Sequence, residues 1–288
     1  MAELLKAKPV VKEIYTQLVH DITRLRRHPV LEIILIGDNA AAEWYVSNLI
    51  KNGTKYGIDV KLRQISYTID QTELENLIRE CNQDAGIDGI MLQKPLPDHL
   101  DEQVINSLIK PEKDVDGFHP LNLGKLVLEQ PSLLPCTPQA VIALLKFYKI
   151  ETAGKHIVIL GRSNIVGKPL GLLLLGKAEP GNATVTICHS RTTDLALYTR
   201  QADILIAAIG KPEFVKAGMI KKNAVIIDVG TNLITDVNGT DKYVGDVDAE
   251  AVINLASALS PVPGGVGSVT TALLLANVVK AAFLKTKK

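Results

Sequence analysis

The chain has 288 residues, 47% of them hydrophobic and 22% charged, enough for one large or two ordinary domains with a full core. A formal net charge of +1 gives no electrostatic reason to bind nucleic acid or an anionic membrane surface, and neither is expected as a partner. Cys81, Cys136 and Cys188 are dispersed and form no C-x-x-C pair, which argues against a disulfide framework and against a zinc site and fits a reducing cytoplasm; no metal is expected. The N-terminus meets charge by Lys6 without an apolar signal region, and the apolar runs are strand-length or broken by glycine, so no membrane span is expected.

In chain order, Ala7 to Arg27 is amphipathic at helical spacing and predicts a helix ending near His28-Pro29. Leu31 to Ile36 predicts a strand closed by Gly37-Asp38, and Ala41 to Tyr56 a helix stopped by Gly57. Val60 to Ile65 reads as a strand, Thr72 to Cys81 as a helix capped by Thr72 or Asp70, and Gly89 to Gln93 as a buried strand. This alternation is the pattern of a parallel sheet with crossover helices. A proline-punctuated stretch follows, with Pro95, Pro97, Pro111 and Pro120. Thr137-Pro138 then resembles an N-cap with proline at N1, opening a helix to about Tyr148. The βα pattern restarts with strands at His156–Leu160, Thr184–Cys188, Asp203–Ala207 and Ala224–Asp228, and Ser268 to Leu284 predicts a last helix. The fold class is therefore α/β in two domains: an N-terminal one over 1–120, a Rossmann-like one over 121–268, a cleft between them, and the helix 269–288 returning to the first.

The strand His156–Leu160 runs directly into Gly161-Arg162-Ser163-Asn164-Ile165-Val166-Gly167-Lys168-Pro169. Free N–H groups where a strand turns into a helix point at phosphate, so this segment is a candidate nucleotide turn. Ser163 stands where a G-x-G-x-x-G turn has its middle glycine, and a plain structural turn would look similar. The second strand adds information, because a unit that binds NAD places an acid at its end to grip the ribose 2′-OH. Here the strand ends in His189-Ser190-Arg191-Thr192, and a hydroxyl beside a guanidinium suits a 2′-phosphate, so NADP is the expected cofactor. A second glycine cluster, Pro261 to Ser268, reads as a ligand wall against the alternative of a structural corner.

Eight segments together resemble the methylenetetrahydrofolate dehydrogenase/cyclohydrolase family: Gln93–Pro97, Pro111–Gly117, Pro135–Pro138, Gly161–Pro169, Cys188–Thr192, Asp228–Gly230, Gly245–Val247 and Pro261–Gly267. They follow the family's order across nearly the whole chain. The resemblance implies one-carbon metabolism supporting purine biosynthesis: NADP-dependent oxidation of 5,10-methylenetetrahydrofolate, then hydrolysis of the 5,10-methenyl cation to 10-formyltetrahydrofolate, by a cytoplasmic homodimer joined through its nucleotide domains. It implies a cofactor set of Gly161, Arg162, Ser163, Ile165, Gly167, Ser190, Arg191, Thr231, Gly264 and Gly265, with Tyr45, Gln93 and Asp116 on the folate side. Asp114 is a second candidate for the pterin-binding acid. In the family a lysine stands four residues after the tyrosine and a serine three before it; here these positions are Leu49 and Ala42. Loss of that amine predicts a hydrolytic step weaker than hydride transfer, since a general acid/base contributes about 10²–10⁴-fold. Lys51 should face elsewhere on the helix, and strand alternation should turn Lys94 away unless Pro95 redirects it. Ala140 and Ser268 are smaller departures from the family pattern. The rival readings are a dehydrogenase without the second step, a catalytically silent folate- and NADP-binding paralogue acting as a sensor or partner subunit, and an unrelated NADP-dependent reductase.

Overall fold

The structure is a computed structural model describing residues 1–235 and 239–286. It divides into two compact units: unit 1 comprises Met1–Lys12 and Cys136–Thr270, unit 2 comprises Glu13–Pro135 and Thr271–Lys288.

The chain opens with β1 (Glu3–Leu4) and α1 (Ala7–Ile22). The helix stops short of the expected Arg27 because Thr23 caps it, donating its hydroxyl to His20 O at 2.7 Å. Arg27 turns instead to the buried Asp88, with guanidinium bonds of 2.7 and 2.8 Å. Unit 2 is then built from β2 (Val30–Ile36), α2 (Ala40–Tyr56), β3 (Asp59–Ile65), α3 (Gln71–Gln83), β4 (Gly89–Leu92), α4 (Glu102–Leu108) and α5 (Pro120–Val127). Its sheet has the order β3-β2-β4, all parallel. Central β2 is buried along its whole length, which is why its sequence is an almost unbroken aliphatic run. Asn39 caps α2 by accepting from Ala42 N at 3.0 Å, and Gly57 ends it with its N–H on the last turn. The proline-rich stretch holds two helices that had no signal in periodicity. Helix α5 opens at Pro120, the expected domain boundary, with His119 Nδ1 accepting from Leu121 N at 3.0 Å. Its Asn122 donates to Asp114 at 2.9 Å, which ties the helix into unit 2; the division of the structure falls at Cys136.

Unit 1 continues with α6 (Cys136–Phe147), β5 (His156–Leu160), α7 (Gly167–Leu175), β6 (Thr184–Cys188), α8 (Leu195–Thr199), β7 (Ile204–Ala207), β8 (Val225–Asp228), β9 (Asn232–Thr235), β10 (Asp241–Val244), α9 (Ala249–Val252), β11 (Ala258–Leu259) and α10 (Val266–Thr286), the last running on into unit 2. Helix α6 starts one residue before the expected cap, so Thr137 and Pro138 lie inside the first turn, where a missing N–H costs nothing. The six-stranded sheet has the order β1-β11-β8-β7-β5-β6, every pair parallel, over a core that includes Val158, Leu205, Ile226 and Leu259. Strands β9 and β10 form a separate antiparallel hairpin. Contrary to the expectation of no membrane-length segment, α10 is long and apolar enough to cross a bilayer by length and composition. Its one glycine, Gly267, lies at the very start, and 56% of the apolar window is buried inside the protein, as in the core helix of a soluble protein.

Candidate active site

The turn after β5 is shaped by two glycines. Gly161 has φ +120°, and a Cβ there would stand 2.1 Å from Ala208 O; a Cβ on Gly167 would stand 2.0 Å from Gly161 O. Only glycine lets the loop fold back this closely onto the start of α7. Ser163 Oγ accepts from Val166 N at 3.1 Å, and Ser163 O accepts from Lys168 N at 3.1 Å, so the middle serine stiffens the turn. Arg162, Asn164 and Ile165 remain exposed. After β6, His189 N donates to Thr192 Oγ1 at 2.9 Å and Arg191 N to His189 Nδ1 at 3.1 Å, a tight turn with Ser190 and Arg191 at its surface.

A cavity of about 290 Å³ opens at the carboxyl ends of β5, β6 and β7, lined in part by Gly161, Arg162, Ser163, His189, Ser190 and Lys211. It brings together four of the expected cofactor residues, Gly161, Arg162, Ser163 and Ser190. Ile165, Gly167 and Arg191 belong to the same loops without lining it. Thr231, Gly264 and Gly265 do not line it either: Thr231 Oγ1 is 4.0 Å from a Cβ built on Gly267, Gly264 O accepts from Ala7 N at 2.8 Å, and Gly265 packs on Pro261 O. Lys211 was missed from sequence. The signal was available, since Gly210-Lys211-Pro212 follows the third strand at the end of the sheet where ligands bind. The buried Asp246 carboxylate fixes that loop, accepting from Ile209 N, Gly210 N and Lys211 N at 2.7, 3.0 and 2.9 Å. Beside it Asp228 is pushed up to about 6 by burial, against the pull of three backbone N–H bonds. Among the described residues no carboxylate lines the cavity, while Arg162, Lys211, Ser163 and Ser190 do. This donor set fits a phosphorylated nucleotide.

In unit 2, Gln93 follows β4 and donates from Nε2 to Lys94 O at 2.8 Å, while its Oε1 is buried with no hydrogen-bond partner among the described residues. Asp114 and Asp116 separate cleanly. Buried Asp114 accepts from Gly117 N at 3.1 Å, His119 N at 2.8 Å and Asn122 Nδ2 at 2.9 Å; it holds the turn, with burial raising its pKa. No hydrogen bond from the described residues engages the partly buried Asp116. Its pKa is pushed up to about 7, by burial first and then by the neighbouring Asp114 charge, with Lys94 pulling it down. Tyr45 is half-buried on α2, Ala42 is buried, and Leu49 has 0% exposure. Lys51 is exposed. Lys94 does turn towards the Asp116 loop: β4 ends at Leu92, so strand alternation no longer governs it, and its ammonium lies 4.5 Å from the Phe118 ring centroid. Among the described residues no group of three His, Cys, Asp or Glu side chains is placed to hold a metal.

A parallel Rossmann-type sheet with a glycine turn and a cation-lined cavity, joined to a second α/β unit carrying buried polar groups, defines a two-unit nucleotide-dependent dehydrogenase. The chain belongs to the tetrahydrofolate dehydrogenase/cyclohydrolase family: the family's catalytic domain matches residues 5–116 and its NAD(P)-binding domain residues 135–286. It is 44% identical to the bifunctional protein FolD of Flavobacterium johnsoniae, covering 99% of both chains. The crystal structure of the bifunctional enzyme FolD from Campylobacter jejuni has a TM-score of 0.92 at 42% identity, covering 99% of this chain and 100% of that one. The Trypanosoma brucei enzyme, solved with NADP cofactor and an inhibitor, has a TM-score of 0.92 at 34% identity, covering 100% and 99%.

Proposed function

We propose that this chain oxidises 5,10-methylenetetrahydrofolate with NADP⁺ and hydrolyses the resulting 5,10-methenyl cation to 10-formyltetrahydrofolate, as a cytoplasmic homodimer. The observation that carries the folate reading is Gln93 Oε1, desolvated and unpaired. A buried acceptor without a donor costs about 1–3 kcal/mol, and a substrate N–H recovers it. Asp116, engaged by no hydrogen bond from the described residues, offers its carboxylate to the N–H pair of a pterin edge, and the Tyr45 ring offers a face for the pterin to stack on. On the nucleotide side, the turn from Gly161 to Gly167 presents N–H groups to the diphosphate. Arg162, Ser190, Arg191 and Lys211 surround the 2′-phosphate, and Ser163 sets the turn. Ile165, Thr231, Gly264 and Gly265 complete the cofactor contacts. When bound, NADP⁺ accepts the hydride; the protein's task is to place the bridging carbon against it and to exclude water.

Support for the homodimer comes from the β9–β10 hairpin, where Leu233 and Tyr243 face each other across the strands at 57% and 49% exposure. A two-stranded ribbon with an outward apolar pair gains stability from a covering surface. The silent-paralogue reading gains no support from the Flavobacterium johnsoniae and Campylobacter jejuni relatives, both described as bifunctional. The deciding experiment supplies methylenetetrahydrofolate and NADP⁺ to purified protein and follows methenyl formation and decay; absence of methenyl formation overturns the reading.

A further inference from the structure

We infer that Lys94 is a catalytic residue of the hydrolytic step, the amine that this chain brings to the bridging carbon from the end of β4 because position 49 on α2 is a leucine. The inference rests on the folate reading above. Leu49 is fully buried and carries no proton to move, and Lys51 is exposed on the same helix. Lys113 is buried but committed, donating to Cys81 O and Asp84 O at 2.7 Å each. Lys94 differs from all of these in its surroundings. Its backbone carbonyl is held by the Gln93 amide, its side chain is 21% exposed, and its ammonium ion-pairs with Glu102 and sits over the Phe118 ring. Its charge is felt by Asp116, so a carboxylate, an amide and an ammonium converge where the folate is proposed to lie.

An ammonium has three donors. Glu102 takes one and the ring face of Phe118 attracts the charge, which leaves a proton to offer and balances the positive charge that would otherwise repel a cationic substrate. In the step assigned here, water adds to the bridging carbon of the methenyl cation, and its proton leaves to solvent as the C–O bond forms. The bond from that carbon to N5 then breaks, N5 taking its proton from the Lys94 ammonium. The hydroxyl proton passes to the Lys94 amine as the formyl C=O forms, which restores the ammonium. One water is consumed and one proton released, with no change of oxidation state.

The test compares the full-length protein with Lys94→Met and Lys94→Cys, measuring methenyl formation from methylenetetrahydrofolate with NADP⁺ and, separately, decay of added methenyltetrahydrofolate. Both variants should lose about 10²-fold or more in hydrolysis and much less in methenyl formation, so that the ratio of the two rates moves at least about 30-fold. The dehydrogenase rate of the same sample reports that the variant is folded. Because Cys81, Cys136 and Cys188 are buried, bromoethylamine should modify the new thiol of Lys94→Cys selectively and restore hydrolysis to within about tenfold of the parent. Lys51→Met serves as the control and should leave both rates near the parent's. Hydrolysis within twofold of the parent in Lys94→Met, or a parent that forms methenyl without accelerating its decay, overturns the role of Lys94 alone. A parent that forms no methenyl overturns the folate reading itself.

Discussion

At the scale of single residues, Asp116 concentrates the electrostatics of the folate side. Its pKa of about 7 in the folded protein lies above the ordinary carboxylate value, so between about pH 4 and 7 the native state keeps a proton that the unfolded chain has lost. The associated stability is present at low pH and is lost as pH rises through 7. Asp116→Asn removes this slope: urea midpoints at about pH 5 and about pH 8 should differ less in the variant than in the parent, by raising the value at the higher pH. Leu49 makes the opposite case. With 0% exposure, Leu49→Lys places an ammonium where water cannot reach it, and an uncompensated buried charge costs about 3–5 kcal/mol. The expected result is a lower urea midpoint; an unchanged midpoint would mean that Gln93 Oε1 accepts from the new amine. Arg191→Ala should weaken NADP⁺ by about 1.5–3 kcal/mol, roughly 10- to 150-fold in Kd, and weaken NAD⁺ much less, checked by isothermal titration.

At the scale of elements, α3 shows when sequence suffices. Of the two caps expected, Thr72 and Asp70, the helix uses Asp70, which accepts from Glu73 N at 2.8 Å while Glu73 returns a bond to Asp70 N at 3.2 Å. Asp70→Ala should cost about 1 kcal/mol in thermal unfolding, with methenyl formation intact. Strands β5 and β6 were equally plain: β5 is a buried aliphatic run, and β6, at the sheet edge, is a β-branched run that is only partly buried. What stayed hidden has identifiable causes. Strands β1 and β11 are two residues each and show no period, and α8 and α9 have five and four residues. Helix α5 begins at the last proline of the proline-punctuated stretch, where no apolar period signals a helix, although proline suits a first turn. In the nucleotide cavity Gly161, Arg162, Ser163 and Ser190 were legible in the sequence, but Lys211 depends on a loop whose shape is set by Asp246, 35 residues later in the chain. The orphaned Gln93 oxygen and the direction of Lys94 depend on where β4 ends, which alternation alone does not give.

At the scale of the whole molecule, the hairpin patch should place two chains together at micromolar concentration in sedimentation equilibrium, and Leu233→Asp with Tyr243→Asp should shift the equilibrium towards monomer. The nucleotide cavity makes a second, independent claim on the entire chain. A ligand that binds the native state and not the unfolded one stabilises it by RT ln(1 + [L]/Kd), about 2.7 kcal/mol at a concentration of 100 Kd. Because Arg162, Lys211 and Ser190 converge in a carboxylate-free cavity, NADP⁺ should raise the unfolding temperature more than NAD⁺ does at equal concentration. The shift should shrink at high salt, since Arg162 is exposed and its attraction for phosphate is screened. Lys211→Ala should reduce the NADP⁺ shift, and Asp246→Asn should do the same without touching the ligand, by loosening the three N–H bonds that hold Lys211 in place. Equal shifts from NADP⁺ and NAD⁺ would remove the 2′-phosphate from the account of this cavity, and with it the reason for an arginine where an acid would bind NAD.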